Sequence, residues 1–466
     1  MSKNFYIQTY GCQMNYHDSE RLHGIFESIG YCEAPDAKHA DVVIINTCAV
    51  REKPERKLFS ELGRLRKIKL QRPDMIIGVA GCMAPREADV LKKSAPYVDI
   101  LIGPRSLYRL PELLYNAQKH DQRIKALNLD DDPTPITPVS RSNRISAWVN
   151  IMFGCNYSCS FCAVPSARGK EVSRRPEEIL DEIELLHSQD YKEITLLGQS
   201  VNAYGRDFAY KIKDSKEIDP DERVDFSWLL TQIDNQFPDL RIRFTSPHPQ
   251  LFTDRLINTI ADLPTVCEHI HLPLQSADDE VLHSMRRNYS FEKFQNIVSK
   301  LRKAIPDMGV STDIIVGFPG ETEEKFRKSL HAMTELKFDQ AFMFAYSPRR
   351  HTEAFDFKGE ISGDIQNRRL QELIESANKS FNRINKQLIG TTFEVLVEGP
   401  SAKNPARMSG RTRSNKTMIF DAPKSTIGTL IKVRATESFL WGFKGEATKP
   451  HSVRAQTVSE KLRIIS

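Results

Sequence analysis

The first third of the chain contains three short apolar runs that are separated by amphipathic stretches. The runs are FYIQTYGC, ADVVIINTC and MIIGVAGC, and they end at Cys12, Cys48 and Cys82. Their length is typical of buried strands. Helix-like segments such as DSERLHGIFESIG and KPERKLFSELGRLRKI lie between them. This alternation predicts a parallel α/β sandwich, a sheet with helices on its faces, over residues 1–127.

A second domain is predicted after residues 128–143, whose proline-rich polar sequence is typical of a linker. Strand and helix patterns then alternate six times. The strand candidates begin at Arg144, Glu193, Arg241, Glu268, Gly309 and Asp339. Such a series predicts a partial (β/α)6 barrel over residues 144–388, built like the eight-fold β/α barrel but shorter. The charged stretch 206–223 is interpreted as an inserted surface loop.

The pattern changes again near the C-terminus. Short alternating strands with turn residues predict a small all-β barrel over residues 389–450, followed by a tail at 451–466. The fold class predicted for the whole chain is therefore α/β multidomain. We see no short-period repeat and no low-complexity block.

Composition places the chain among soluble globular proteins, with 40% hydrophobic and 27% charged residues. No apolar run approaches the roughly 20 residues that span a bilayer, and the N-terminus does not read as a signal peptide. We therefore expect a cytoplasmic protein with no membrane partner. In that compartment its eight cysteines stay reduced and serve as ligands, catalysts or core residues rather than as disulfides.

The segment GCNYSCSFC places Cys155, Cys159 and Cys162 in CxxxCxxC spacing after the first strand of the predicted barrel. Active sites of such barrels lie at this end of the strands, and three neighbouring thiolates suit iron–sulfur ligation. A fully ligated cluster needs four cysteines, so one iron would keep an open position. Two other interpretations are half of a zinc site, which lacks a second CxxC, and a thioredoxin-type redox pair, which leaves Cys155 unexplained.

Cys12, Cys48 and Cys82 form a second candidate group. Each ends a strand of the predicted sheet, and ligands of parallel sheets bind beyond the carboxyl ends of the strands. Three residues distant in sequence are therefore able to meet. Buried cysteines are also common core residues, and the pattern alone does not decide between the two interpretations. Cys32 and Cys267 fit no ligand spacing and are interpreted as structural.

The CxxxCxxC triplet on a barrel of this length resembles the radical S-adenosylmethionine superfamily, and Phe161, the aromatic residue before the last cysteine, matches its pattern. The order of the three regions resembles the methylthiotransferase family, which ends in an RNA-binding TRAM domain. Around Cys12, Cys48 and Cys82, the segments GCQMN, NTCAVREKPERK and GCMAPRE are similar to the branch that acts on tRNA adenosines. The resemblance spans nearly the whole chain, but we cannot match residues 206–223 to it.

The resemblance implies two [4Fe–4S] clusters, each held by one group of three cysteines, with residues 1–127 holding the auxiliary one. One S-adenosylmethionine would give the radical that removes hydrogen from C2 of adenine. Another would supply the methyl group of the methylthio group that the auxiliary cluster delivers. The implied substrate is N6-isopentenyladenosine at position 37 of the tRNA anticodon stem-loop, flipped out of its loop. An external electron donor is an implied partner, and DNA is not.

Four polar residues at strands of the predicted barrel are candidate cofactor contacts, together with Phe161. They are Gln199, Asn202, Gln275 and Asp313. The amides of Gln199 and Asn202 follow the second strand, where they would equally well satisfy local backbone groups. Gln275 ends the fourth strand and is expected to face the cofactor. Asp313 lies within the fifth strand, where it either reaches the ribose of the cofactor or pairs with a neighbouring base.

A cluster of basic residues lies in the predicted C-terminal barrel. Its members are Lys403, Arg407, Arg411, Arg413 and Lys416. A solvated run of charge is the default interpretation, and the net charge of +5 is too small to decide. The stretch GRTRSNK resembles the TRAM motif, however, and this implies contact with the RNA backbone.

These features together favour an enzyme that methylthiolates a tRNA adenosine. Two alternatives within the same class are methylthiolation of another tRNA adenosine and of a ribosomal protein side chain. An alternative from a different class is a non-catalytic iron–sulfur protein with an RNA-binding domain. The open coordination positions argue against it, because electron carriers usually ligate every iron through the protein.

Overall fold

The computed structural model describes residues 3–48, 52–119, 123–130, 132, 137–141, 143–208 and 223–448. The chain divides into two compact units, Met1–Ser376 and Ala377–Ser466. Within the described ranges no helix is long and apolar enough to cross a membrane. Most of the predicted inserted loop and all of the predicted C-terminal tail lie outside these ranges.

Six parallel strands form a sheet in the N-terminal part, in the order β2-β1-β3-β4-β5-β6. The strands are β1 (Asn4–Tyr10), β2 (Cys32–Glu33), β3 (Val42–Thr47), β4 (Ile76–Ala80), β5 (Ile100–Ile102) and β6 (Ile124–Ala126). The helices are α1 (Gln13–Ser28), α2 (Glu52–Gln71), α3 (Met83–Arg86), α4 (Ala88–Ser94) and α5 (Leu110–Lys119). The α/β sandwich predicted from the apolar runs is confirmed.

Two separate hydrophobic cores lie on the two faces of this sheet. Leu22 and Phe26 of α1 belong to one core, and Leu58, Leu62 and Leu65 of α2 belong to the other. β2 follows β1 in the chain and lies on the side of β1 away from β3. β4 follows β3 and lies on the side of β3 away from β1, so the chain progresses in opposite directions across the sheet from these two strands. The carboxyl ends of β1 and β3 therefore flank a switch point, the place where open α/β sheets bind their ligands.

A second set of six parallel strands follows, interrupted by a short antiparallel pair, β8 with β9. The strands are β7 (Ser146–Asn150), β8 (Met152–Phe153), β9 (Val172–Ser173), β10 (Glu193–Leu197), β11 (Arg241–Phe244), β12 (His269–His271), β13 (Gly309–Val316) and β14 (Gln340–Ala345). The helices are α6 (Val164–Arg168), α7 (Pro176–Ser188), α8 (Phe226–Gln236), α9 (Asp254–Asp262), α10 (Asp279–Ser284), α11 (Phe291–Ala304) and α12 (Glu323–Glu335).

These strands form an open barrel. The sheets β11-β10-β7 and β12-β13-β14 approach each other at a parallel bridge between Ile242 and Val266. In the described residues β7 and β14 do not pair with each other, so the barrel stays partial. All six strands predicted for this region are confirmed. Because the strands are parallel, their carboxyl ends share one mouth.

The long helix α13 (Gly363–Gln387) follows β14. Near its start Arg369 is buried and donates to the carboxylate of Glu321 at 2.7 Å. This ion pair fixes the beginning of the helix on the first unit.

The second unit contains a closed five-stranded barrel in the order β15-β16-β17-β19-β18. The strands are β15 (Thr392–Pro400), β16 (Met408–Thr412), β17 (Thr417–Asp421), β18 (Leu430–Phe439) and β19 (Gly442–Ala447). Alternate side chains such as Val395, Val397, Met418, Phe420 and Phe443 fill its interior. The predicted small all-β barrel is confirmed.

The end of α13 is attached to this barrel through the buried side chain of Asn385. Its amide nitrogen donates to the carbonyl oxygens of Phe439 and Leu440 at 2.9 and 3.2 Å, and its oxygen accepts from the Lys416 ammonium at 2.8 Å. Lys416 is itself buried. One side chain thus joins the helix to two parts of the barrel.

We predict that Asn385→Ala lowers the free energy of unfolding of the second unit by about 2–4 kcal/mol, because it removes hydrogen bonds from buried groups, one of them charged. Asn382→Ala makes the same chemical change at an exposed position of α13 and should cost less than about 0.5 kcal/mol. Hydrogen exchange of strands β15–β19 measures both. Equal effects of the two substitutions would contradict the anchoring role of Asn385.

Candidate functional site

Cys12, Cys48 and Cys82 follow the carboxyl ends of β1, β3 and β4, three neighbours in the N-terminal sheet. The Cys48 N–H donates to the carbonyl oxygen of Tyr10 at 2.9 Å, which holds the ends of β1 and β3 together. The thiols of Cys12 and Cys48 are hydrogen-bonded to each other. Cys12 and Cys48 therefore meet in space, and Cys82 follows the neighbouring strand β4.

Two buried asparagines form hydrogen bonds beside this group of cysteines. Asn15 of α1 accepts from the Cys12 N–H at 3.3 Å, and its amide nitrogen donates to the side chain of Asn46 at 3.2 Å. Asn46, the second-last residue of β3, donates back to the Asn15 carbonyl at 2.7 Å. The start of α1 is thus tied to β3 directly under the cysteines.

Glycine is required beside this group. Gly81 has a φ of +85°, and a Cβ built on it would lie 2.4 Å from the side-chain oxygen of Asn46. No other residue fits between Asn46 and Cys82 without moving the network. This is the physical reason for the Gly–Cys pair at the end of β4.

Arg168 supplies positive charge to the buried thiols. Its Nε donates to Cys82 Sγ at 3.3 Å, and its Nη2 donates to the carboxylate of Asp18 at 2.7 Å. Both Arg168 and Asp18 are buried, at 4% and 1% side-chain exposure. Burial raises the pKa of Cys82, whereas the hydrogen bond from Cys48 lowers the pKa of Cys12 to about 6. A thiolate at this site is therefore stabilised by its neighbour and by one guanidinium.

Cys155, Cys159 and Cys162 lie in the loop that follows β7 and β8, at the barrel mouth. The loop is fastened at both ends. Asn156 and Glu171 exchange backbone-to-side-chain hydrogen bonds at 3.1 and 3.0 Å, and Ser160 donates to the carbonyl oxygens of Met285 and Ser284. The three sulfurs are therefore held on a fixed backbone.

Burial governs the electrostatics of this triplet as well. It raises the pKa of Cys155 to about 11 and that of Cys162 to about 12. A thiol with a raised pKa stays protonated on its own, but a bound metal cation stabilises its thiolate form. Such thiols are suited to metal ligation. Arg287, which is also buried, donates to Cys159 Sγ at 3.4 Å.

The two cysteine groups are joined through consecutive residues of one segment. The side chain of Arg168 contacts Cys82, and the carbonyl oxygen of the next residue, Gly169, accepts from the Cys155 N–H at 3.1 Å. Gly154 completes the junction, because a Cβ at this position (φ +69°) would lie 2.0 Å from the Lys170 carbonyl oxygen. One cysteine of each group therefore contacts the same short segment, residues 168–169.

Within the described residues no group of three His, Cys, Asp or Glu side chains is arranged to hold a single metal ion. Each cysteine group offers three thiol donors, and thiolates are the usual protein ligands of iron–sulfur clusters.

The candidate cofactor contacts differ in what their side chains do. Both amide atoms of Gln199 and the amide oxygen of Gln275 are buried without a hydrogen-bond partner in the described residues. Asp313 lies 3.3 Å from the ring of His271. Phe161 packs against the apolar cluster around Met285, Phe318 and Tyr346. Gln199 and Gln275 are therefore the candidates with buried side-chain atoms that the described residues leave without a hydrogen bond.

Asn202 plays a different part. Its amide nitrogen donates to the carbonyl oxygen of His248 at 2.9 Å, and its oxygen accepts from the His248 N–H at 2.7 Å. The amide is used within the protein, which favours the alternative of a loop residue that satisfies backbone groups. It positions the loop after β11.

The basic residues of the C-terminal barrel also divide. Lys403 is exposed, and Arg411 is partly exposed beside Glu398 and Asn415. Arg407 pairs with Asp421 at 2.7 Å on the surface. Lys416 is buried against Asn385, and its ammonium is directed inward, which corrects its assignment to an RNA-facing surface. Arg413 is half-buried.

Three residues that the sequence reasoning missed touch this site: Arg168, Arg287 and His248. Arg168 ends the short helix after the CxxxCxxC loop, and Arg287 lies 128 residues after Cys159. The signal for Arg168 is a lone arginine in an otherwise small-residue segment, VPSARG. Nothing in the sequence marks Arg287 as a neighbour of Cys159.

We predict that Arg168→Met lowers the free energy of unfolding by about 3–5 kcal/mol, because it leaves the Asp18 carboxylate buried without its partner. The double variant Arg168→Met with Asp18→Leu should recover most of that stability. It should still bind less iron at Cys12, Cys48 and Cys82, since the cation beside Cys82 is missing. Urea unfolding and iron content measure the two effects. Recovery of both quantities would show that Arg168 serves only as an ion-pair partner.

We also predict that, in the metal-free protein at pH 7, iodoacetamide alkylates Cys12 faster than Cys155 or Cys162. The pKa of Cys12 lies below 7, at about 6, so most of that thiol is ionised, whereas the other two have pKa values near 11 and 12. Peptide mass spectrometry gives the order of labelling. Cys48→Ala should slow the labelling of Cys12, because it removes the hydrogen bond that lowers the pKa. An unchanged rate would contradict this cause.

Comparisons with known proteins agree with the domain order. Three family models match the chain: the Radical SAM superfamily over residues 149–333, the Uncharacterized protein family UPF0004 over residues 4–103 and the TRAM domain over residues 386–447. A solved structure of the radical S-adenosylmethionine methyltransferase TsrM from Kitasatospora setae, with cobalamin and a [4Fe-4S] cluster bound, matches with a TM-score of 0.53 at 14% identity. It covers 84% of this chain and 77% of that one, and it supports the fold alone.

Curated relatives are similar over almost the whole chain. The protein from Geobacillus kaustophilus is 43% identical over 95% of this chain and 82% of its own length. The proteins from Carboxydothermus hydrogenoformans and Bacillus cytotoxicus are 41% and 44% identical over the same share of this chain, and over 99% and 86% of their own lengths. All three are named tRNA-2-methylthio-N(6)-dimethylallyladenosine synthase. The chain therefore belongs to the tRNA-2-methylthio-N(6)-dimethylallyladenosine synthase family of radical S-adenosylmethionine enzymes.

Proposed function

We propose that this enzyme attaches a methylthio group to C2 of N6-isopentenyladenosine at position 37 in the anticodon stem-loop of tRNA. The names of its relatives support this reaction. The observation that carries the proposal is the junction at Arg168 and Gly169, adjacent residues that contact Cys82 of one group and Cys155 of the other. A reaction that needs both a radical and a sulfur donor requires such proximity.

Each group has three thiol ligands and a buried arginine on one of them. We propose that they hold two [4Fe–4S] clusters, with Cys12, Cys48 and Cys82 holding the auxiliary one. When bound, the clusters and S-adenosylmethionine supply the electron, the hydrogen-abstracting radical and the sulfur. The open iron position on each cluster follows from the count of three ligands.

The protein's own part is to bind, orient and exclude water. The buried guanidinium groups of Arg287 and Arg168 offset the negative charge of the thiolates that they contact. Among the described residues the Gln199 amide and the Gln275 amide oxygen are buried without partners, and Gln275 has a strained backbone with φ of +70°. Backbone strain of this kind is often retained where a side chain must be directed at a ligand.

The TRAM barrel supports tRNA as the macromolecular substrate. We propose that Lys403, Arg407, Arg411 and Arg413 contact the phosphate backbone, while the buried Lys416 stabilises the barrel. Such contacts position the substrate and carry no sequence information. An external electron donor and a cytoplasmic location complete the proposal.

The test is anaerobic incubation of the iron-reconstituted enzyme with S-adenosylmethionine, a reductant and tRNA that carries N6-isopentenyladenosine. Nucleoside mass spectrometry should find the 2-methylthio derivative. Parallel incubations with tRNA lacking the isopentenyl group and with ribosomal protein separate the alternatives. Production of 5′-deoxyadenosine without any methylthiolated nucleoside would contradict the proposal.

We predict that Cys48→Ala separates the two parts of the reaction. The variant should carry about half the iron of the wild type, since one of two equal clusters is lost. It should still cleave S-adenosylmethionine reductively and form no methylthio product. Cys155→Ala, the matched change in the other group, should abolish 5′-deoxyadenosine instead. Methylthiolation of tRNA by the Cys48 variant would remove this residue from the mechanism.

We predict that replacing Lys403, Arg411 and Arg413 together by Ala raises the KM for tRNA. The dependence of log affinity on log salt should flatten by roughly two to three units if all three contact phosphates. The control replaces the exposed Lys424 and Lys432 of the same barrel by Ala and should change the slope little. Cofactor cleavage without tRNA should be unaffected in both. An unchanged slope would show that the basic cluster is only solvated.

A further inference from the structure

His248 lies in the loop that follows β11, at the mouth of the open barrel. Its backbone is held by two hydrogen bonds with the side chain of another loop residue. Asn202, from the loop after β10, bonds to both its N–H and its carbonyl oxygen, at 2.7 and 2.9 Å. Two residues earlier, Ser246 has a φ of +59°, a conformation that costs free energy for a residue other than glycine. The chain retains this strain and places His248 at a fixed position.

The imidazole ring is also fixed. It stacks on Tyr157 with ring centroids 3.8 Å apart and planes 9° from parallel, and the ring of Tyr289 packs edge-on at 5.8 Å. Tyr157 belongs to the loop between Cys155 and Cys159, and Tyr289 accepts from Arg287, the residue that contacts Cys159. The ring therefore lies against the cysteine loop itself.

Within the described residues only one of the two ring nitrogens of His248 has a hydrogen-bond partner. Nδ1 accepts from the Gln250 N–H at 3.2 Å, so the proton of the neutral ring is on Nε2. Nε2 is buried and has no hydrogen-bond partner in the described residues. Burial, with Arg287 and Lys293 nearby, lowers the pKa of His248 to about 2, so the ring is a neutral donor at any physiological pH.

Buried donors in native proteins nearly always have a partner, and an exception in a binding site indicates a group that a ligand completes. The neighbours of His248 point the same way. Gln199 precedes Asn202 by three residues, and in the part of the chain that the structure describes neither its amide atoms nor the hydroxyl of Tyr157 has a partner. Unsatisfied polar groups thus surround the loop that carries the CxxxCxxC cysteines.

We propose that His248 is a cofactor-binding residue whose Nε2–H donates a hydrogen bond to an oxygen or nitrogen acceptor of S-adenosylmethionine. The inference rests on the proposed assignment of Cys155, Cys159 and Cys162 as the radical cluster site. The small cofactor is favoured over the tRNA base as the acceptor, because the ring is stacked on the cysteine loop. Asn202 is then a positioning residue that acts through His248.

The test uses the iron-reconstituted, full-length enzyme and three variants. His248→Phe keeps an aromatic ring and removes the donor, whereas His248→Gln keeps a nitrogen donor at a similar reach. His187→Phe makes the first change at a partly exposed histidine that pairs with Asp239 on the surface. Equilibrium dialysis with labelled S-adenosylmethionine gives Kd, and iron content and the visible spectrum report the clusters.

We expect His248→Phe to raise Kd about 10-fold, the effect of losing one buried hydrogen bond. The Kd of His248→Gln should stay within about 3-fold of the wild-type Kd. The Kd of His187→Phe should equal the wild-type Kd. The iron content of all variants should be equal, and so should the KM for tRNA. If the Phe variant binds less iron, His248→Met, which also lacks a donor, is predicted to show the same rise in Kd with the clusters intact.

An unchanged Kd in both donor-free variants would overturn the inference and leave His248 as a packing residue. A raised KM for tRNA with an unchanged Kd would overturn it in favour of a contact with the nucleobase. Failure of the wild-type enzyme itself to bind S-adenosylmethionine would overturn the proposed function, and the role of His248 with it. The failures are therefore distinguishable.

Discussion

The site depends on how the negative charge of buried cysteine thiolates is stabilised. Burial raises the pKa of Cys82, Cys155 and Cys162, so these thiols resist ionisation unless a cation or a metal is beside them. Each cysteine group meets this requirement in the same way, with one buried guanidinium on one sulfur. The protein therefore supplies part of the compensating positive charge itself. Arg168 has a second constraint, because it must also satisfy the fully buried Asp18.

This compensation also links the two groups. Arg168 ends a helix that starts just after the CxxxCxxC loop, yet its side chain reaches the cysteines of the N-terminal sheet. The next carbonyl oxygen returns to Cys155. Two adjacent residues therefore contact one cysteine of each group. At the mouth of the barrel, by contrast, the Gln199 amide and Nε2 of His248 are buried without a hydrogen-bond partner among the described residues, which suits a site that a ligand completes.

Much of the fold follows from local patterns in the sequence. All six barrel strands and the strands before Cys12, Cys48 and Cys82 were predictable, because a buried parallel strand needs an apolar run that is bounded by turn residues. The meeting of those three cysteines follows from the geometry of a parallel sheet. Arg168 and Arg287 were not predictable, since a contact between a guanidinium and a distant sulfur leaves no periodic signal. Lys416 and Asn202 show the same limit, because residue type alone does not tell whether a polar side chain faces solvent, ligand or backbone.

The closeness of the two cysteine groups is tested most directly by electron paramagnetic resonance of the reduced, iron-reconstituted enzyme. Two paramagnetic clusters at one site interact magnetically, so the spectrum of the wild type should be split or broadened beyond the sum of the spectra of Cys48→Ala and Cys155→Ala. Faster spin relaxation in the wild type than in either variant should accompany this difference. A wild-type spectrum equal to that sum, with the relaxation of isolated clusters, would contradict a single site shared by the two groups.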